Sequence, residues 1–311
     1  MENTIYDLAI LGGGPAGVAA GIYAARKKIK TILVTKDFMG QSVASENIRN
    51  WIGTSSISGM DLAKNMEKHL RDLAEDMVDI KNSEMIEKVV KTTEGLFSIL
   101  TNKNQYLSKT ILIATGSARR KFEAPGAAEF EHRGLTYCAT CDAPMYGGQP
   151  VAVLGGGNSA LEAAMQLTAY ADKITVIHRR DEFRADPVTV EKVLAEPKIT
   201  ALMNTEVVKI NGDKFVNGIT VKNKTTGETS DLAVTGIFVE IGHLPNVKPF
   251  EGLVNLNEQN SIVVNPHTQS TSCIGAWAAG DCTDGLYKQN NIAVGDAVKA
   301  LEDIYIFLKT K

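Results

Sequence analysis

Two stretches of the chain carry the same succession of apolar and glycine-rich blocks. Tyr6–Thr35 reads YDLAILGGGPAGVAAGIYAARKKIKTILVT, and Val151–Arg180 reads VAVLGGGNSALEAAMQLTAYADKITVIHRR. Each is a short apolar strand, a glycine-rich turn, an Ala-rich helix and a second β-branched strand, so a βαβ unit occurs twice. The repeat distance far exceeds solenoid periods and predicts two nucleotide-binding domains rather than an array. Between them, Met60–Met77 sets Leu62, Met66, Leu70 and Leu73 at helical spacing with Lys and Glu opposite, which predicts a surface helix over a core. β-type runs are expected at Glu87–Thr92, Gly95–Thr101 and Lys109–Ala114, then at Thr205–Ile210, Gly218–Val221 and Gly236–Val239. Val294–Leu308 reads as a closing helix.

Gly, Ser and Pro interrupt the β pattern at Thr115–Ala118 and Gly242–Asn246. Taken as joints, they predict an α/β fold of two Rossmann-like dinucleotide-binding domains, the second inserted in the first: residues 1–117 with 246–311, and residues 118–245. A length of 311 residues suits two domains. Lys plus Arg is 33 and Asp plus Glu is 36, a net charge of -3 with no basic block, which argues against nucleic acid as a partner. No apolar run approaches the ~20 residues of a membrane helix, and the start lacks the basic region of a signal peptide. Four cysteines do not make a disulfide scaffold in a chain this long, so a cytoplasmic setting with reduced thiols is expected.

Gly12, Gly14 and Gly17 form G-x-G-x-x-G directly after the strand Leu8–Leu11, with Pro15 and Ala16 opening the helix. The first glycine permits the tight turn, the second lets a pyrophosphate approach the backbone, and the third allows close helix–strand packing. The acidic residue that usually bonds the ribose is absent after Val34, so either Asp37 or the Thr35 hydroxyl takes that place. The second turn has Gly155, Gly157 and Ala160. Its second strand ends in His178, Arg179 and Arg180, with Arg184 one turn on. Cations stand where an NAD site carries a carboxylate. A guanidinium pairs with the 2′-phosphate of NADPH, and NADH offers it nothing comparable.

Cys138 and Cys141 form C-x-x-C just before the second βαβ unit, a spacing that brings two sulfurs within bonding reach. A zinc site would need further ligands, yet no second C-x-x-C exists and the five histidines are scattered, so no metal is expected. Asp142 follows the second cysteine and reads as a proton-transfer group, with turn capping as the alternative. Cys273 and Cys282 lack the spacing and read as structural thiols.

The order GGGPAG, ATG, YCATCD, GGGNSALEAA, HRRDEFR, IGHLPN, AAGDC strongly resembles the low-molecular-weight thioredoxin reductases over nearly the whole chain. The flavoprotein component of alkyl hydroperoxide reductase has similar segments and a similar tail, but carries an extra N-terminal redox domain. Here the first strand begins by Tyr6, so the free-standing reductase is the expectation. The resemblance implies FAD at Gly12–Gly17, helped by Thr35, Gly40, Gln41, Asn50, Thr115 and Gly116. It implies Gly280 and Asp281 at the ribityl chain, and Lys288 with Gln289 along the isoalloxazine edge. NADPH is implied at Gly155, Gly157, Asn158, Ser159, Ala160, His178, Arg179, Arg180 and Arg184. Cys141 would face the flavin, Cys138 would exchange with thioredoxin or a thioredoxin-like protein, and Asp142 would be the acid. A homodimer is implied as well, with the second domain rotating about hinges at Gly116 and Gly242.

Three departures from the family's pattern stand out. Met39-Gly40-Gln41 replaces Gly-Gly-Gln, Ala143-Pro144-Met145 follows Asp142 in place of glycine with aromatics, and Asn290-Asn291 stands where residues beside the flavin are smaller or apolar. Other readings are a reductase of a glutaredoxin-like or peroxiredoxin-system partner, or a flavin- or nucleotide-sensing binding protein without turnover. Reduction of ferredoxin or flavodoxin is disfavoured, because it needs no cysteine pair.

Overall fold

The computed structural model describes residues 4–44, 48 and 50–310, the side chains of Ala44, Thr140, Cys141 and His243 lying outside that description. The chain divides into two compact units, Met1–Ala118 with Leu244–Lys311, and Arg119–His243. The two sheets that carry the glycine-rich turns are built largely of parallel strands, the α/β class expected.

In the first unit, Ile5–Leu11 is the centre of a seven-stranded sheet, flanked in parallel by Thr31–Val34 and Gln105–Ile113. Its side chains alternate between two apolar layers. Leu8 and Ile10 pack with the helices Pro15–Arg26, Gly59–Ala74 and Asn290–Thr310, while Ala9 and Leu11 pack with Val247, Phe250 and Ile262. A strand covered on both faces reads as a continuous apolar run, which is why its sequence shows no polar alternation.

The helix expected at Met60–Met77 runs Gly59–Ala74 instead. The Ser58 hydroxyl accepts the Asp61 backbone N–H at 3.0 Å and fixes the start. Glu75, at φ 42°, ends the helix in the left-handed region. Met77 thereby leaves the helix, and its carbonyl accepts the Thr31 N–H as the chain enters the edge strand Val78–Lys81, which the helical pattern concealed. Gln105–Ile113 begins four residues before the run read from sequence, because its first half pairs antiparallel with Phe97–Thr101.

The second unit orders its parallel strands Ile199–Leu202, Lys173–Ile177, Pro150–Leu154, Gly236–Val239 and Leu135–Thr136. Helices Asn158–Leu167 and Pro187–Ala195 supply residues to one apolar layer. The antiparallel strands Thr205–Gly212, Val216–Asn223 and Thr229–Leu232 supply the other. No helix among the described residues is long and apolar enough to cross a membrane.

Leu70 is fully buried, and a Cβ built on Gly21 would lie 2.7 Å from its Cδ1, so two helices meet across it. Leu70→Ala should destabilise the first unit by about 2–5 kcal/mol, read as a lower midpoint in guanidinium denaturation followed by circular dichroism.

Candidate functional site

The first turn is shaped by backbone contact. A Cβ on Gly12, at φ 122°, would lie 2.3 Å from the Ala114 carbonyl oxygen, and one on Gly17 would lie 1.8 Å from the Gly12 oxygen. Only bare backbone fits at either place. The helix Pro15–Arg26 therefore starts directly over the strand, with Pro15 in its first turn, no side-chain cap at Gly14 and no acidic residue in that turn. Its first N–H groups keep their donors and the positive end of the dipole.

The structure gathers several predicted residues here. Thr35 is buried behind Gly13, whose built Cβ would meet Thr35 Oγ1 at 2.6 Å; Gly40 lies against Gly14 and Pro15; Gly280 packs on Ala16, which brings Asp281 to this end of the unit. Of the two ribose candidates, Thr35 Oγ1 donates to the Asp37 carbonyl, while the Asp37 carboxylate accepts the Met39 N–H. Thr115 and Gly116 are stapled to Asn246: Thr115 Oγ1 donates to the Asn246 carbonyl at 2.7 Å, and the Asn246 N–H donates to Gly116. Gln41 donates to Ser117, and Lys288 Nζ donates to the Thr283 carbonyl at 2.7 Å. Asn50 and Gln289 are exposed.

In the second unit the same turn recurs with a wider fit. A Cβ on Gly155, at φ 149°, would lie 2.3 Å from the Glu240 carbonyl oxygen and 2.8 Å from the Ala160 Cβ. Asn158–Leu167 again starts without a side-chain cap or an acidic first turn. The segment after the second strand folds back over the turn: the Arg184 N–H donates to Gly156 at 2.6 Å, and Asn158 exchanges hydrogen bonds with Asp186. Ser159, Arg179 and Arg184 are exposed and Arg180 is half-exposed. Among the described residues none of the three guanidiniums has an ion-pair partner.

His178 differs from the surface cation expected. Its ring is buried, stacks on Phe183 at 5.7 Å, and occupies the space that a Cβ on Gly156 would need. Burial, reinforced by Arg179 and Arg184 against a backbone bond at Glu182, pushes its pKa down, so the ring is a neutral wall of the turn.

The cysteine loop follows the two-residue strand Leu135–Thr136. Cys138 is disulfide-bonded, whereas Cys273 and Cys282 are free thiols. The side chain of Cys141 lies outside the described residues; its backbone belongs to the short helix Ala139–Asp142. Thr136 Oγ1 accepts the Cys138 N–H at 3.2 Å and donates to the Asp142 carboxylate.

The chain matches the pyridine nucleotide-disulphide oxidoreductase family over residues 6–297. It is 37% identical over 305 residues to a thioredoxin reductase of Mycolicibacterium smegmatis, covering 97% of this chain and 96% of that one. The chain belongs to that family. It is also 37% identical over 304 residues to an NADH dehydrogenase of Bacillus subtilis, and 40% identical over 300 residues to an alkyl hydroperoxide reductase component of Pseudomonas putida. Those matches cover 97% and 95% of this chain but 58% and 56% of the relatives, so the chain spans a little over half their length. A thioredoxin reductase structure from Streptococcus pyogenes superposes with a TM-score of 0.84 at 32% identity, covering 100% of both chains.

As a member of the pyridine nucleotide-disulphide oxidoreductases, the protein takes FAD and NADPH as cofactors. Its turns fit them. Cβ atoms on Gly14 and Gly157 would meet no atom within 4 Å, so a pyrophosphate has open approach to both uncapped helix starts. Among the described residues no cluster of His, Cys, Asp and Glu could hold a metal ion.

The sequence reading missed what several residues do. Asn246 escaped because a staple to Thr115 needs two segments 131 residues apart. Asn290 and Asn291 tie a loop to the last helix: the Ser42 hydroxyl bonds Asn290 at 2.9 Å, and Asn291 Nδ2 donates to the Asn50 carbonyl at 2.6 Å. Glu240 was not singled out at all. Its carboxylate accepts a backbone hydrogen bond at Ala139, and burial raises its pKa to about 7 against that bond and Arg119. Cys282 is buried, with its thiol pushed up to about 11, as a structural thiol would be.

Gly17→Ala should lower the melting temperature and abolish flavin retention, because its Cβ has no room. Gly14→Ala should leave the melting temperature of the apoprotein in place. It should weaken FAD binding about 10–100-fold, the loss of a charge-assisted hydrogen bond, as measured by fluorescence titration of apoprotein.

Proposed function

We propose that this protein is an NADPH-dependent flavoprotein disulfide reductase that reduces thioredoxin or a thioredoxin-like protein through a Cys138–Cys141 disulfide. The observation that carries the reading is the bonded Cys138 in the same unit as a glycine turn edged by three guanidiniums without ion-pair partners among the described residues. Bound FAD supplies a two-electron carrier between a nicotinamide and a disulfide.

The protein's own residues divide the remaining tasks. Helix Pro15–Arg26 offers its N-terminal N–H groups to the FAD pyrophosphate, with Asp281 brought close by Gly280. Helix Asn158–Leu167 does the same for NADPH, and Arg179, Arg180 and Arg184 hold the 2′-phosphate. Thr136 fixes the Cys138 backbone and the Asp142 carboxylate together, so the proposed acid is oriented relative to the sulfur it serves. In turnover, NADPH and one proton are consumed, the acceptor disulfide gains two electrons and two protons, and NADP+ is released.

Reduction of a peroxiredoxin-system partner is the second reading, favoured by the 40% identity to the Pseudomonas putida alkyl hydroperoxide reductase component. The Mycolicibacterium smegmatis relative, matched over 96% of its length, is named a thioredoxin reductase, which favours thioredoxin as acceptor. A homodimer in the cytoplasm, where thiols are kept reduced, belongs to the same proposal.

Cys141→Ser should leave NADPH able to bleach the yellow protein anaerobically while turnover of a disulfide protein disappears; retained turnover would remove the cysteine role and with it the reading. Steady NADPH oxidation only when thioredoxin is added separates the enzyme from a nucleotide sensor. Changing Arg179 and Arg180 to Ala should raise KM for NADPH about 10–100-fold, with little effect on KM for NADH. Equal effects would remove the 2′-phosphate role of these arginines.

A further inference from the structure

Glu240 joins two parts of the second unit. Its N–H donates to the Leu154 carbonyl at 2.8 Å, and its own carbonyl oxygen fills the space beside Gly155, so its main chain is part of the second turn. Its carboxylate reaches the other way and accepts the N–H of Ala139, the residue directly after Cys138. That nitrogen stands four bonds from Cys138 Sγ, so the carboxylate and the sulfur share one small, partly buried region.

The charged groups around Glu240 are few. Arg119 is the cation acting on it, and its Nη1 is buried with no partner among the described residues. Asp142 is turned to Thr136, and Tyr146, held protonated by burial and by Asp142, packs edge-on against Phe238 at 5.2 Å. The Tyr137 hydroxyl accepts the Phe122 N–H, with Lys121 over its ring, and His178 lies across Gly156 as a neutral ring. Lys121, the other cation here, is engaged by Glu131 and the Tyr137 ring, which leaves Arg119 as the cation acting on Glu240.

We propose that Glu240 is a positioning residue for the disulfide centre, and that it binds a proton when the Cys138 disulfide is reduced. The proposal rests on the functional reading above in taking that disulfide as the working redox centre. A carboxylate at the Ala139 N–H and a thiolate on the preceding residue repel, so the carboxylate and the reduced sulfur hold one negative charge between them. The step balances with a dithiol reductant: the S–S bond breaks, two electrons enter, one proton goes to one sulfur and the second to Glu240, the other sulfur stays a thiolate, and the reductant leaves as its own disulfide. In the oxidised protein burial already brings the carboxyl to about 7, within reach of this exchange at neutral pH.

The test uses the whole holoprotein, reduced with dithiothreitol, desalted anaerobically and alkylated with iodoacetamide between about pH 6 and pH 9, with the Cys138 peptide quantified by mass spectrometry. The wild-type rate should rise in two steps, the signature of two coupled groups. Glu240→Gln keeps an acceptor for Ala139 but cannot titrate; its rate should rise in one step and be about tenfold higher at pH 7, one pKa unit in the thiol. A merely structural cap would leave the two profiles superimposed, and that result overturns the proposal. If Glu240→Gln does not fold, Glu240→Asp is read in the same way: a profile displaced from the wild type supports the coupling, and one superimposed on it overturns the proposal. No nicotinamide nucleotide or acceptor protein enters the assay. A Cys138 that resists reduction therefore overturns both readings, whereas a reducible Cys138 with a single-step profile overturns only this one.

Discussion

The approach of a helix to the strand before it governs everything else in this protein. Gly17 sits so near the Gly12 carbonyl that an added Cβ would lie 1.8 Å from its oxygen, and that contact brings the helix start directly over the end of the central strand. No side chain caps the helix, so its N-terminal N–H groups and dipole remain available to an anion. The second turn repeats the design with Ala160 in place of the third glycine. A Cβ on Gly155 would fall 2.8 Å from the Ala160 methyl, so the methyl fits only while its neighbour stays bare. Two uncapped helix starts, each open to an anion, follow from two backbone contacts.

The cysteine loop depends on hydrogen bonds from outside itself. Thr136 holds the Cys138 N–H and the Asp142 carboxylate with one hydroxyl, and Glu240 takes the Ala139 N–H from the end of another strand. A helix of four residues has little stability alone. These partners fix its backbone, and they bring two carboxylates to the segment that carries Cys138. Among the described residues the same unit keeps three guanidiniums free of ion pairs at the second turn. The arginines follow the strand Lys173–Ile177 and Glu240 follows Gly236–Val239, strands that lie on either side of Pro150–Leu154 in one sheet.

Much of this architecture was legible in the order of residues. Gly236–Val239 matches the run read from sequence, and both glycine turns lie between the strand and helix assigned to them. The misses share a cause. Val78–Lys81, Ala276–Ala278 and Leu135–Thr136 are strands of two to four residues, too short for a period-2 pattern, and they exist because a neighbour offers an edge. Asn290 and Asn291 read as departures beside a flavin, yet their side chains bond a loop some 240 residues earlier.

What the sequence determined by itself was whatever a short window encodes: the strand–turn–helix blocks, the C-x-x-C spacing and the basic run after the second strand. Tertiary structure decided which of those groups are charged and which are already engaged. His178 stands beside two arginines in the chain, but it is neutral because Phe183 and Gly156 enclose it. Glu240 looks like an ordinary strand-end carboxylate, but burial between Ala139 and Arg119 carries it to neutral pH. Protonation follows desolvation and neighbouring charge, and both are supplied by segments that only folding brings together.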